Sequence, residues 1–230
     1  MDILKTPVKI ALIDSGIDIN IPKLNNSVLE SICININDDG INIIKDAKIN
    51  HIHGTIISLI IKHICNNVQF ININILNNNL RSDGRVLIHA LDRAISYKPD
   101  IINLSLGTNK YKYKYSLNKL INICKKNNII VISATDNEGH KCYPAYLKNV
   151  IGVRASKIPN KIYYSNRFVY APSTAMDILK AYGLEDHYEG TSISTAYVTG
   201  QIANLLQSSE NIGKDDILRY LPYLFLSLNT

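Results

Sequence analysis

Short, unbroken runs of apolar and largely β-branched residues recur along this chain, separated by longer stretches, several of them with helical spacing. Val8–Ile13, Val68–Leu76, Ile101–Leu106, Ile129–Ala134, Val150–Ala155 and Phe168–Ala171 are such runs. A strand that is apolar at nearly every position has no side to offer to water, so it belongs in a sheet covered on both faces. The intervening segments supply the cover. Thr55–Ile64 is apolar almost throughout and predicts a buried helix. Val86–Tyr97 gathers Leu87, Leu91, Ala94 and Ile95 on one side and is closed by Pro99. A further helix is expected from a Ser116 cap to Asn127, a long one over Ser192–Ser208, and a short amphipathic one over Lys214–Leu221. This alternation predicts an α/β fold of three layers, a mostly parallel sheet with helices on both faces.

With 230 residues, 46% of them apolar, the chain has material for one full core. Neither an internal repeat nor a Pro/Gly/Ser-rich linker divides it, so residues 1–230 are expected to form a single domain. Uninterrupted apolar stretches stay short of the roughly 18 residues a membrane span needs. The segment Met1–Val8 lacks the long apolar region and cleavage site of a secretory leader, and the expected location is cytoplasmic. The four cysteines, Cys33, Cys65, Cys124 and Cys142, form no C-x-x-C pair and fit no metal-ligand spacing, so they are read as free thiols. The net charge of +6 is scattered without a basic stripe, which argues against a nucleic-acid surface. A dinucleotide-binding turn is also excluded, because no G-x-G-x-x-G follows the first strand.

Parallel sheets bind ligands at the carboxyl ends of their strands. Asp14 follows the first predicted strand, Ser105 lies in another, and Asn137 follows a third. His53 and Ser192 each open a predicted helix. Taken singly, Asp14 reads as a turn residue, His53 as a solvated imidazole and Ser192 as a helix cap. Taken together they supply what acyl transfer requires: a nucleophile, a base and a carboxylate that orients the base. The order Asp, His, Ser along a chain is one of those in which such triads recur.

The motifs Asp14-Ser15-Gly16, His53-Gly54-Thr55 and Gly190-Thr191-Ser192 resemble those of the subtilase family, and the resemblance runs from Val8 to Gln207. Supporting matches are Ile102-Asn103-Leu104-Ser105-Leu106-Gly107, Val131–Gly139, Tyr143-Pro144-Ala145 and Val169–Pro172. The resemblance implies a serine endopeptidase in which Ser192 attacks, His53 moves the proton, Asp14 orients His53, and Asn137 donates to the oxyanion. It implies a peptide substrate added as a strand beside Ser105, Leu106 and Gly107, with Ser82, Asp83 and Gly84 on its other side. Glu138 and Asp136 flank Asn137 where the family builds the wall of its first specificity pocket, so a basic residue is expected just before the cut. Thr108–Tyr115 is expected to be extended, with Lys and Tyr on opposite sides, either as a solvated loop or, as the resemblance implies, as a lip that attracts acidic or aromatic residues upstream of the cut. No cofactor is expected. The usual calcium loop is not anticipated, because the helix after His53 runs almost directly into the strand at Val68, and Asp38-Asp39-Gly40 reads as a plain turn.

The sequence departs from the family at four places. Ile52 stands for the glycine before the histidine, Ile56 for a second histidine, Asp136 for the small residue before the asparagine, and Ala196 for a proline after the serine. A compact chain of this kind resembles the members that trim leaders from ribosomally made, modified peptides. General intracellular proteolysis and a peptide-binding scaffold are the alternatives.

Overall fold

All six apolar runs enter one nine-stranded sheet in the computed structural model, which describes residues 5–45, 49, 51–158, 161–208 and 213–225. The strands are β1 (Val8–Asp14), β2 (Val28–Asn37), β3 (Gly40–Lys45), β4 (Val68–Asn74), β5 (Ile101–Leu104), β6 (Ile130–Ala134), β7 (Ile151–Ser156), β8 (Tyr163–Ser165) and β9 (Phe168–Pro172). Their spatial order is β3-β2-β4-β1-β5-β6-β7-β9-β8. Every pairing is parallel except the two at the edges, where β3 and β8 run antiparallel to their neighbours. The hairpin β2–β3 and the short β8 escape sequence reading because they lack a continuous apolar run. In β2 only Cys33, Ile34 and the flanking Ile32 are buried, and β3 is partly or fully exposed throughout. Asp38 and Asp39 make the turn between them.

Among the described residues six α-helices cover the sheet: α1 (His53–Ile64), α2 (Gly84–Ser96), α3 (Lys114–Lys126), α4 (Met176–Lys180), α5 (Thr191–Ser208) and α6 (Lys214–Leu224). One core joins Ile10, Leu12 and Phe70 of the sheet to α1, α4, α5 and α6. The other joins Ala11, Ile13 and Ile71 to α2 and α3. The alternation of odd and even residues of β1 between the two cores is the pleat of a strand buried on both faces. Helix α1 is buried from Gly54 to Ile61, since it packs against α5 as well as the sheet, which accounts for its lack of a polar side. No helix among the described residues is long and apolar enough to cross a membrane.

Two expectations around Ser116 are corrected. Helix α3 starts at Lys114, after a 3-10 turn over Tyr111–Tyr113, and Ser116 lies inside it. The apolar series Tyr113, Leu117, Leu120, Ile121 and Cys124 has helical spacing, and burying Tyr113 draws the start upstream. Thr108–Tyr115 is therefore not an extended lip. Tyr111 and Tyr115 stand one turn apart and are exposed, whereas Tyr113 is in the core.

Strand β1 is flanked by β4 and β5, and the strand order reverses about it. That is the topological position at which an open α/β sheet forms a crevice at its carboxyl edge. Because α1 is fully committed to the core, Ile60→Ala is expected to lower the unfolding free energy by about 2–5 kcal/mol. Ile44→Ala, at a half-exposed edge position, should change it by less than about 0.5 kcal/mol. Urea denaturation of the two variants checks this.

Candidate active site

Asp14 ends β1 and is completely buried. Its Oδ1 accepts hydrogen bonds of 2.7 Å from the backbone N–H of Ser15 and 2.7 Å from Nδ1 of His53, the first residue of α1. The carboxylate thus holds the imidazole as its Nδ1–H tautomer and leaves Nε2 as the proton acceptor. Burial pushes the Asp14 pKa up, but the His53 charge and the hydrogen bonds from His53 and Ser15 outweigh it and hold the carboxyl below its ordinary value. Burial likewise pushes His53 down, and Asp14 more than offsets it, so the imidazole sits above its ordinary 6.5. Asp14 Oδ2 and both amide atoms of Asn74, its register partner on β4, are buried without hydrogen-bond partners.

The approach of β1 to α1 depends on residues that sequence reading assigned no role. Ser15 Oγ donates to the carbonyl of His51 at 2.8 Å and accepts the N–H of Gly54 at 2.9 Å. His51 Nδ1 accepts the N–H of His53 at 3.1 Å, and Thr55 Oγ1 accepts the N–H of Asp18 at 2.9 Å. A Cβ on Gly54 would lie 2.5 Å from the carbonyl oxygen of Gly16, so only glycine lets α1 begin this close to β1. The hydroxyl directly after Asp14 was visible in the sequence, but its partners 36 and 39 residues away were not.

Ser192 is the second residue of α5 and lies at the carboxyl edge of the sheet. Its Oγ donates to the carbonyl oxygen of Ser105 at 2.9 Å, not to His53. Asn137 is held by the residue beside Ser192. The N–H of Thr191 donates to Asn137 Oδ1 at 2.9 Å, and Thr191 Oγ1 lies 2.9 Å from the same oxygen and 2.7 Å from the carbonyl of Thr135. Since an N–H can only meet the amide oxygen, this contact fixes the flip of Asn137 and leaves Nδ2 as the outward donor. Gly190, at φ +140°, passes so close that a Cβ would lie 3.2 Å from Asn137 Oδ1. The start of α5, Nδ2 of Asn137 and the N–H of Ser192 form an arrangement suited to a developing negative charge.

Asp136 does not oppose that charge freely. Its Oδ1 accepts the N–H groups of Glu138 at 2.9 Å and His140 at 3.2 Å and lies 3.3 Å from His140 Nδ1. Asp136, Glu138 and His140 carry ligand-type atoms within 4.8 Å of one another, a grouping able to hold a metal ion that the sequence reading did not single out. The cysteines are buried and free, and burial pushes Cys142 up to about 11 and Cys124 up to about 12.

Ser82, Asp83 and Gly84 face Leu106 and Gly107 across a cavity of about 270 Å³. Asp83 caps α2 through the N–H of Arg85, and Ser105 lies inward at the edge of β5. A second cavity, of about 580 Å³, lies between Gly107 and Thr108 on one side and Thr135, Asp136 and Cys142 on the other. Glu138 is not on its wall; its carboxylate is exposed and 3.4 Å from His140. Arg81 and Lys110 do line it. The expected preference for a basic residue rested on two acidic groups, and the cavity receives only one, already engaged with its own loop, together with two cations.

This fold agrees with what comparison with known proteins returns. The model of the subtilase family matches residues 5–221, and the chain belongs to that family. Subtilisin NAT of Bacillus subtilis subsp. natto is 28% identical over 219 residues, covering 86% of this chain and 55% of that protein. The chain thus spans about half the length of this relative. Among solved structures, a lanthipeptide protease superposes with a TM-score of 0.72 at 20% identity, covering 93% of this chain and 78% of the other. The epidermin leader peptide processing serine protease of Staphylococcus aureus gives 0.70 at 19% identity, covering 98% and 69%.

The raised His53 pKa has a direct test. In the free protein its imidazole should titrate above 6.5. In Asp14→Asn the imidazole stays buried and the neighbouring charge is lost, so the midpoint should fall below that value. Stabilisation from the pair held by His53 should accordingly fade as pH rises through the raised midpoint. Histidine NMR titration of both proteins reads the shift, and an unchanged midpoint in Asp14→Asn would contradict the pairing.

Proposed function

We propose that the chain is a serine endopeptidase with Ser192 as nucleophile, His53 as general base and then acid, and Asp14 as the group that orients His53. The observation that carries this reading is the pair of fixed orientations: Nδ1 of His53 tied to Asp14, and the amide oxygen of Asn137 tied to Thr191. They support the reading because they leave Nε2 of His53 as the basic nitrogen and Nδ2 of Asn137 as the amide donor, the two atoms the reaction needs.

In the reaction, rotation about χ1 takes Ser192 Oγ from the Ser105 carbonyl to His53 Nε2, which accepts the proton as Oγ attacks the scissile carbonyl. The oxyanion receives hydrogen bonds from Asn137 Nδ2 and the N–H of Ser192. Protonated His53 returns the proton to the leaving amine, and water repeats the sequence to free the acid. A substrate strand beside Ser105, Leu106 and Gly107 presents its own N–H groups to that edge, including the carbonyl that Ser192 leaves.

The finer reading is a processing peptidase that removes a leader segment from a ribosomally made, modified peptide. It is supported by likeness to a lanthipeptide protease and to an epidermin leader peptide processing protease. Ser192→Ala should abolish cleavage of such a precursor, and Asn137→Leu should lower kcat by about a hundredfold to a thousandfold with KM little changed. Steady-state kinetics on a peptide spanning a leader junction checks both. Wild-type turnover in either variant would be incompatible with the assignment.

A further inference from the structure

The lysine–tyrosine stretch after β5 has no part in the reaction, yet it builds a surface of its own. Tyr111, Lys112, Lys114, Tyr115 and Asn118 line one side of a cavity of about 580 Å³, and Tyr146, Leu147 and Lys148 line the other. Tyr111 is 71% exposed and Tyr115 82%. Among the described residues no carboxylate lines the cavity and none of its lysines is in an ion pair. Lys114 Nζ instead stands 5.0 Å from the centre of the Tyr111 ring and 6.0 Å from that of Tyr143.

The lysines are badly placed for the helix they begin. Lys112 precedes α3 and Lys114 opens it, the first turn holds no acidic residue, and no side chain caps the helix at Tyr113. Cations there face the positive end of the helix dipole. An arrangement that contradicts its own electrostatics is expected where a charge of opposite sign arrives from elsewhere.

The surface is continuous with the cleft. Thr108 and Lys110 line the cleft cavities, and the chain passes from them directly to Tyr111. Thr108 bridges to Tyr143, whose ring meets that of Tyr111 edge-on at 6.4 Å between centres. Arg81 and Lys110 extend the positive lining into the cleft itself.

We propose that this cavity is an exosite for an Asp- and Glu-rich segment of the substrate chain, upstream of the scissile bond. Its carboxylates meet Lys112, Lys114 and Lys148, and the methylene stems of glutamates lie on Tyr111 and Tyr115. The proposal rests on the peptidase reading for the identity of the occupant.

The test uses two labelled peptides that share one cleft-binding sequence and carry either four Glu or four Gln upstream of it. Binding to the Ser192→Ala protein is followed by fluorescence anisotropy at low salt. The Glu peptide should bind about tenfold more tightly, as expected for a few solvated charge pairs acting together. The advantage should vanish in a Lys112→Gln, Lys114→Gln, Lys148→Gln variant and persist in Lys125→Gln, Lys126→Gln, which removes charge from the far end of α3. No advantage at the outset, its survival in the first variant, or equal loss in both would overturn the exosite. Cleavage of the same peptides by the unmodified protein separates the two readings. Turnover of both at equal kcat/KM removes the exosite and keeps the peptidase, whereas lysine-dependent binding without any turnover removes the peptidase.

Discussion

A carboxylate buried without compensation is too costly to remain charged, and the arrangement of this molecule's carboxyl edge follows from how Asp14 avoids that fate. Its compensation comes from the N–H of Ser15 and the imidazole of His53. Bringing His53 there requires α1 to begin against β1, which in turn requires Gly54 and the Ser15 bridge to His51. The helix so placed is buried between the sheet and α5, and α5 carries Ser192 in its first turn, with Thr191 gripping Asn137. One electrostatic requirement is thereby transmitted through packed helices to the proposed nucleophile.

The departures from the family pattern are absorbed in this frame. Ile56 is fully buried in α1 and Ala196 in α5, so each adds to the core that joins the two helices. Ile52 packs against the same core just before His53. Asp136 turns its carboxylate onto the N–H groups of its own loop, which spends its charge locally and leaves Asn137 in the grip of Thr191.

The six buried strands are legible because burial on both faces leaves a continuous apolar run, and the candidate site residues stand out in the sequence because Asp14 closes such a run while His53 and Ser192 open helices within short motifs. What was not legible depends on contacts across the chain. The β2–β3 hairpin is half exposed and carries no strong period. The start of α3 was misplaced because the burial of Tyr113, not the hydroxyl of Ser116, decides it. Glu138 adjoins Asn137 in sequence, but the Asp136 turn brings its carboxylate to His140, a contact no local pattern shows. The cations Arg81 and Lys110 come to the cleft from separate loops, and no local pattern brings them together.

The central claim is that Ser192 is made nucleophilic by His53 and served by Asn137. Its most direct measurement is the rate at which a peptidyl phosphonate modifies the protein, read as an intact-mass increase and located by peptide mapping. The account predicts one adduct per chain, on Ser192, formed orders of magnitude more slowly in His53→Ala and slowed in Asn137→Leu as well. Modification at another residue, or an undiminished rate on Ser192 in His53→Ala, would contradict it.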